Sequence, residues 1–315
     1  MKIIVSAPGK LIISGEHSVL HGYSAISMAI KQRLEVEITP LKDVNKGKDV
    51  IVITSNKFGT MECNINEELY QQPEWCDAVF FLAQKFKVSG IQIDIKSNID
   101  DCGFGASGAL FASVGAGLMQ WTTFEKPTNY TIATTLLSIY REYCKAKKMA
   151  EFSSGTDLIT SIMGGVVYFE PKYNKIITLP NDFLKSFNGI TAIYTGHKTP
   201  TKETFDIANA VENCKTIYEK IGFLTEKIYL SIVDMDKDAF AEYINRNQEC
   251  LQQLNLCDTD INDIITMCKN KHHIAKLSGS GLGDCVIVFD KVKTDKYKTA
   301  DIKIDNKGVI VNVIK

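Results

Sequence analysis

A chain of 315 residues has material for two domain cores at about 150 residues each. With 45% hydrophobic residues, 23% charged residues and a net charge of -1, it reads as an ordinary folded protein, and its charge balance gives no electrostatic footprint for nucleic acid. The nine cysteines are odd in number and form no CxxC pair, so they read as reduced packing residues; no apolar run reaches membrane-span length, and a cytoplasmic, non-membrane protein is expected.

Along the chain, residues 1–39 alternate apolar runs with punctuation. They concentrate polar chemistry in Ala7-Pro8-Gly9-Lys10 and in Gly15-Glu16-His17-Ser18-Val19, followed by His21-Gly22. Residues 33–39 alternate strictly, with Leu34, Val36 and Ile38 inward, which predicts a strand with one face toward solvent. A lysine-rich turn precedes a second strand over 50–54, and 74–87 reads as an amphipathic helix. In 90–97, Ile91, Ile93 and Ile95 share one face of a further strand.

The next segment is the one around which the chain is organised. Asp101-Cys102-Gly103-Phe104-Gly105-Ala106-Ser107-Gly108 lies between that strand and a helical run over 107–120. Strand, glycine-rich loop and helix N-terminus together supply tight turns, close backbone approach and free N–H groups for an anion. The segment is neither a Walker A sequence nor a complete dinucleotide fingerprint, and small residues at a helix start also serve plain packing.

A helix is expected over 129–147. Ser153-Ser154-Gly155-Thr156-Asp157 then leads into a short helix ending at Gly164-Gly165, followed by a strand over 166–169. Asp157 fits a first helical turn, where the helix dipole favours a carboxylate. Composition shifts across 171–188, which divides the chain into 1–185 and 186–315. The second part opens with a strand over 189–194. It continues with helices over 201–221, 225–233, 237–253 and 260–269, then strands around 273–277, 285–290 and 309–314. Another glycine-rich turn, Ser278-Gly279-Ser280-Gly281-Leu282-Gly283-Asp284, joins two of those strands. The charged run 291–298 reads as a solvated turn, and His272-His273 as a strand entry without metal-ligand partners.

The order of an early Pro-Gly-Lys segment, a central Gly-x-Gly-x-Ser loop and a late Ser-Gly-Ser-Gly-x-Gly turn resembles the GHMP small-molecule kinases. Within that superfamily the Gly-Glu-His trio, the His-Gly after it, Ser153 to Asp157, Lys276 to Cys285 and Tyr194 to Thr201 look most like the mevalonate kinase family. The resemblance spans essentially the whole chain. It implies a two-domain α+β fold: an N-terminal ribosomal-protein-S5-like mixed α/β domain, a C-terminal ferredoxin-like α/β domain, and the active site between them. The implied reaction is phosphoryl transfer from ATP with Mg²⁺ to the primary alcohol of mevalonate. Phosphomevalonate, a sugar or pantoate stands as the alternative acceptor, and a non-catalytic ligand-binding protein as the alternative class. A homodimer is compatible with the family.

Position by position, the resemblance implies Asp157 as base and Lys10 as the cation near the γ-phosphate and the attacking hydroxyl. Gly103, Phe104, Gly105, Ala106, Ser107 and Gly108 would form the phosphate loop. Glu16, His17 and Thr201 would hold the acceptor, with Gly279 in the floor, and Ser107 would touch Mg²⁺. The metal-binding glutamate is expected at Glu142, with Glu151 the other choice. Phosphoryl transfer spreads negative charge over the migrating group, so a compact cation and a carboxylate beside the attacking hydroxyl suit it. Asp157 could equally act as an electrostatic anchor for Lys10. Asp100 and Asp101 stand where the family places proline and glycine; beside a phosphate they repel unless turned away or holding a cation.

Overall fold

Strict alternation of apolar residues builds the first sheet. The computed structural model describes residues 1–41, 49–99, 102–123 and 125–314; Asp100, Asp101 and most of the lysine-rich turn before Val50 lie outside them. In β1 (Lys2–Ser14) Ile3, Val5, Ala7, Leu11 and Ile13 are fully buried. β1 pairs antiparallel with β2 (Ala25–Pro40), with Ile3 opposite Ile38 and Val5 opposite Val36. The register shifts between Pro8 and Gly9, where the backbone swings toward the glycine-rich loop and the Lys10 amide donates to the Phe104 carbonyl at 2.8 Å.

β3 (Val50–Ser55), β4 (Gly59–Asn64) and β5 (Ile91–Ser97) extend the sheet beyond β2, with β3 and β5 parallel. β6 (Val166–Glu170) pairs with the other end of β2 and with β7 (Lys175–Leu179). Four helices accompany this sheet: α1 (Asp77–Phe86), α2 (Ala106–Thr122), α3 (Asn129–Ala146) and α4 (Thr156–Met163). The small residues of α2 have a packing reason. A Cβ at Gly115 would stand 2.6 Å from Leu136 of α3, and one at Gly117 2.7 Å from Ile38 of β2, so α2 is clasped between sheet and helix.

After α5 (Asp182–Lys185) the chain enters a second, antiparallel sheet. It is built from β8 (Thr191–Tyr194), β9 (Ala275–Ser278), β10 (Cys285–Val288) and β11 (Lys298–Asp301), in the order β11-β8-β10-β9. Its helices are α6 (Thr201–Asn209), α7 (Cys214–Val233), α8 (Lys237–Gln253) and α9 (Thr259–Lys269). The last strand, β12 (Ile310–Ile314), leaves this sheet and pairs with β1, Val311 opposite Val5. The segment 186–315 therefore ends in the first sheet.

Two expectations need correction. The helices expected over 201–221 and 225–233 are instead α6 and a continuous α7, with the break at 210–213, where Asn213 takes a left-handed backbone at φ 59°. Gly222 does not interrupt α7; its missing side chain makes room for Tyr23, whose Cδ1 would lie 2.5 Å from a Cβ there. The charged run 291–298, expected as a turn throughout, ends on the first residue of β11.

Candidate active site

The N-terminal ends of α2 and α4 meet at the seam between the two sheets. Gly105 precedes α2 at φ 74°, a conformation that suits glycine, and a Cβ there would collide with the Lys10 side chain at 2.8 Å. No side chain caps α2, and the first intrahelical acceptor is the Gly105 carbonyl, which receives the Ala109 amide. The amides of Ala106, Ser107 and Gly108 therefore have no partner within the helix and carry the positive end of its dipole. Gly108 lets α4 approach: a Cβ on it would stand 2.8 Å from the Asp157 Cβ.

Between these helix ends and the turn after β9 is a cleft of about 570 Å³. Lys10 Nζ lies 3.2 Å from Asp157 Oδ1, with the lysine side chain 6% exposed and the aspartate 43%. Burial alone would lower the Lys10 pKa. The carboxylates of Asp157 and Asp284 outweigh it and hold the ammonium above its ordinary range, so Lys10 is a fixed cation at neutral pH.

Glu16 and Lys276 form a second pair, with exposures of 1% and 0%; the ammonium also donates to the Leu277 carbonyl. Burial raises the carboxyl and lowers the ammonium, each opposed by its partner. One carboxylate oxygen, Glu16 Oε2, has no hydrogen-bond partner. His17, at φ 57°, bonds through Nε2 to the Ser280 carbonyl at 2.8 Å. A carbonyl only accepts, so Nε2 carries the proton, and the unpartnered Nδ1 is a bare acceptor while the ring is neutral. Burial favours that neutral form by lowering the His17 pKa.

Cross-links from β1 to the second sheet and its helices α7 and α8 hold the cleft together. The Ile12 amide donates to Ser278 Oγ at 2.9 Å, Ser14 and Thr225 hydroxyls meet at 2.7 Å, and Asn247 donates to Ser14 Oγ at 3.2 Å.

The structure brings Lys10, Glu16, His17, Gly103, Phe104, Gly105, Ala106, Ser107, Asp157, Thr201 and Gly279 to the wall of this one cleft. Gly108 sits one step behind, in the first turn of α2. Glu142 does not join them. It projects from α3 toward α1, where it pairs with Lys85 at a side-chain exposure of 53%, because its helical register points it away from the α2–α4 junction. Glu151 also lies outside this cleft, in a smaller basic hollow with Lys145, Lys148 and Lys202. His21 stacks on Tyr218, with ring centroids 4.2 Å apart.

Sequence reasoning missed Tyr140 and Asp284 in the cleft wall. Tyr140 lies two residues before Glu142 on α3, on a different face of the helix, and carries no motif; Asp284 is legible as a carboxylate among glycines. Among the described residues no group of three His, Cys, Asp or Glu side chains could enclose a metal. The Ser107 hydroxyl and the cleft carboxylates, including an orphaned and buried Asp284 Oδ1, fit a cation that takes its remaining ligands from phosphate and water.

The family model described as GHMP kinases C terminal matches residues 230–301. Two archaeal relatives align along nearly the full chain. A mevalonate kinase from Methanocaldococcus jannaschii is 26% identical over 93% of this chain and 94% of its own length. A mevalonate kinase from Pyrococcus furiosus is 27% identical over 95% and 92%. This chain carries a GHMP kinase C-terminal domain. The solved Methanococcus jannaschii mevalonate kinase superposes on it with a TM-score of 0.76, 22% identity and coverage of 96% and 98%, which shows the shared two-sheet fold. The match to kinases implies ATP as the phosphate donor. No helix among the described residues is long and apolar enough to cross a membrane.

Proposed function

We propose that this protein transfers the γ-phosphoryl group of ATP to the primary hydroxyl of mevalonate, giving 5-phosphomevalonate and ADP. The observation that carries the chemistry is the Lys10–Asp157 pair beside the uncapped end of α2. The acceptor is inferred from the mevalonate kinases that match this chain nearly end to end.

The free amides of Ala106, Ser107 and Gly108 take the donor's phosphate oxygens. Asp157 receives the proton of the acceptor hydroxyl as its oxygen bonds to the γ-phosphorus and the bond to the β-bridging oxygen breaks, with ADP leaving. Lys10, held in place by Asp157, stabilises the alkoxide forming at the acceptor and the charge on the migrating group. His17 Nδ1 and Glu16 Oε2 are acceptors on the side where the substrate's one remaining hydroxyl can donate, and Thr201 closes the same side. The Ser107 hydroxyl would hold a magnesium ion arriving with the nucleotide, which would supply charge neutralisation at the phosphates.

The test is ADP release by purified protein with mevalonate, phosphomevalonate, pantoate and galactose. Mevalonate-dependent release with the other acceptors at background supports the assignment. Release with another acceptor alone moves the substrate, and ATP binding without release on any of them makes the protein a sensor.

A further inference from the structure

Asp284 is a carboxylate set into a turn whose other residues are glycine, serine and leucine, at the start of β10. Its backbone is fixed at both ends. The amide donates to the His197 carbonyl at 2.9 Å, and its own carbonyl accepts from both the amide and the hydroxyl of Thr195, each at 3.0 Å. The side chain cannot swing away, because the phosphate loop lies over it: a Cβ on Gly103 would stand 2.7 Å from the Asp284 Cγ. It is 6% exposed, it lines the cleft with Ser107 and Lys10, and Oδ1 has no hydrogen-bond partner; the nearest cation, Lys198 Nζ, stands 4.0 Å away.

A buried carboxylate against a phosphate-binding loop repels the phosphates unless a cation stands between them. The lysines do not fill that role. Lys10 makes its close contact with Asp157 and acts on Asp284 only through its field, and Lys198 is 57% exposed and beyond hydrogen-bond reach. Glu142, expected from sequence to hold the metal, is on the outer face with Lys85. We propose that the Asp284 carboxylate ligates the divalent cation that arrives with the nucleotide phosphates, sharing it with the Ser107 hydroxyl. This rests on the ATP-dependent reading of the cleft. One protein carboxylate, one hydroxyl, phosphate oxygens and water form an ordinary shell for a small hard cation.

The experiment titrates Mn²⁺ into protein saturated with a non-hydrolysable ATP analogue, reading free Mn²⁺ by electron paramagnetic resonance. Metal-free nucleotide affinity is measured in parallel with chelator present. Asp284→Asn is expected to weaken Mn²⁺ at least tenfold while binding metal-free nucleotide as well or better, and Asp284→Glu to recover part of the metal affinity. Mn²⁺ affinity within twofold of wild type in Asp284→Asn overturns the proposal. Should that variant not fold, paramagnetic broadening in the wild type decides: Mn²⁺ with the analogue erases the Asp284 and Cys285 amide signals if the proposal holds, and their persistence contradicts it. A wild type that binds no nucleotide at all overturns the kinase reading itself, and is recognised before any variant is made.

Discussion

At the scale of single residues, charge placement decides what the cleft does. Lys10 is buried beside Asp157, so neutralising either strips the other of its partner. Asp157→Asn is expected to lower kcat by about 10²–10⁴-fold, the usual range for a positioned proton acceptor, with the ATP KM little changed. Lys10→Met should reduce kcat at least as far, since it also leaves the carboxylate without its cation.

His17 gives a pH signature. Its folded pKa is below the ordinary value of 6.5, so between the two values the unfolded chain binds the proton that the folded chain refuses. Stability contributed by neutral His17 is full above 6.5 and declines as pH falls through it. Urea midpoints measured from pH 8 to 5.5 should drop, and His17→Asn should flatten the slope. In the folded protein the Nδ1 acceptor outlasts the ordinary value of 6.5, so the acceptor KM should stay level there and rise only at the lower pH where folded His17 takes its proton.

At the scale of elements, two glycines separate backbone from site. Gly105→Ala places a Cβ at φ 74° and 2.8 Å from Lys10; it should cost about 1–3 kcal/mol in denaturant unfolding as well as activity. Gly108 has no left-handed backbone and lies in α2, where alanine gains about 1 kcal/mol of helix propensity. Its clash is with the Cβ and backbone of Asp157, at 2.8 and 3.0 Å, which cannot turn aside, so Gly108→Ala should push α4 off α2, offset the propensity gain with a loss of stability, and lower kcat at least tenfold. A Gly108→Ala enzyme as stable and as active as the wild type would contradict this reading.

Most of these elements were legible in the sequence. Residues 237–253 form α8 with the expected boundaries, and the structure adds the cap, Asp236, whose side chain accepts from the Asp238 and Ala239 amides. The alternation in 33–39 is the solvent-edged half of β2. The failures have physical causes. Gly222 looks like a helix breaker in one dimension and is a contact surface for Tyr23 in three. Glu142 has the right chemistry, but helical phase, which a motif spacing does not fix, turns it outward to Lys85. The phosphate loop, Lys10, Asp157 and the Gly-Glu-His trio were visible as clustered polar and glycine residues in apolar context. Asp284 was visible only as a letter, because its burial depends on the glycine-rich loop at Gly103 folding against it from a distant part of the chain.

At the scale of the whole molecule, the cleft exists because two sheets are locked together. Glu16 follows β1 of the first sheet, and Lys276 lies on β9 of the second; their pair is completely buried. Lys276→Met leaves a carboxylate unpaired in the interior and should cost about 3–5 kcal/mol in denaturant unfolding, while Glu16→Gln with Lys276→Met should recover much of it. The return of β12 to β1 adds a second lock, closing the chain onto its own N-terminal strand. Nothing in the local pattern of 309–314 marks which sheet that strand joins, since an apolar alternation fits either.

The central claim is that the Lys10–Asp157 pair transfers phosphate from ATP to mevalonate. Its most direct test follows the reaction by ³¹P NMR, with ATP, Mg²⁺ and mevalonate, in wild type and Asp157→Asn. The predicted result is a new phosphomonoester resonance growing in step with ADP, nearly absent in the variant. ADP accompanied by inorganic phosphate alone, or a phosphomonoester formed as fast by the variant, would contradict it.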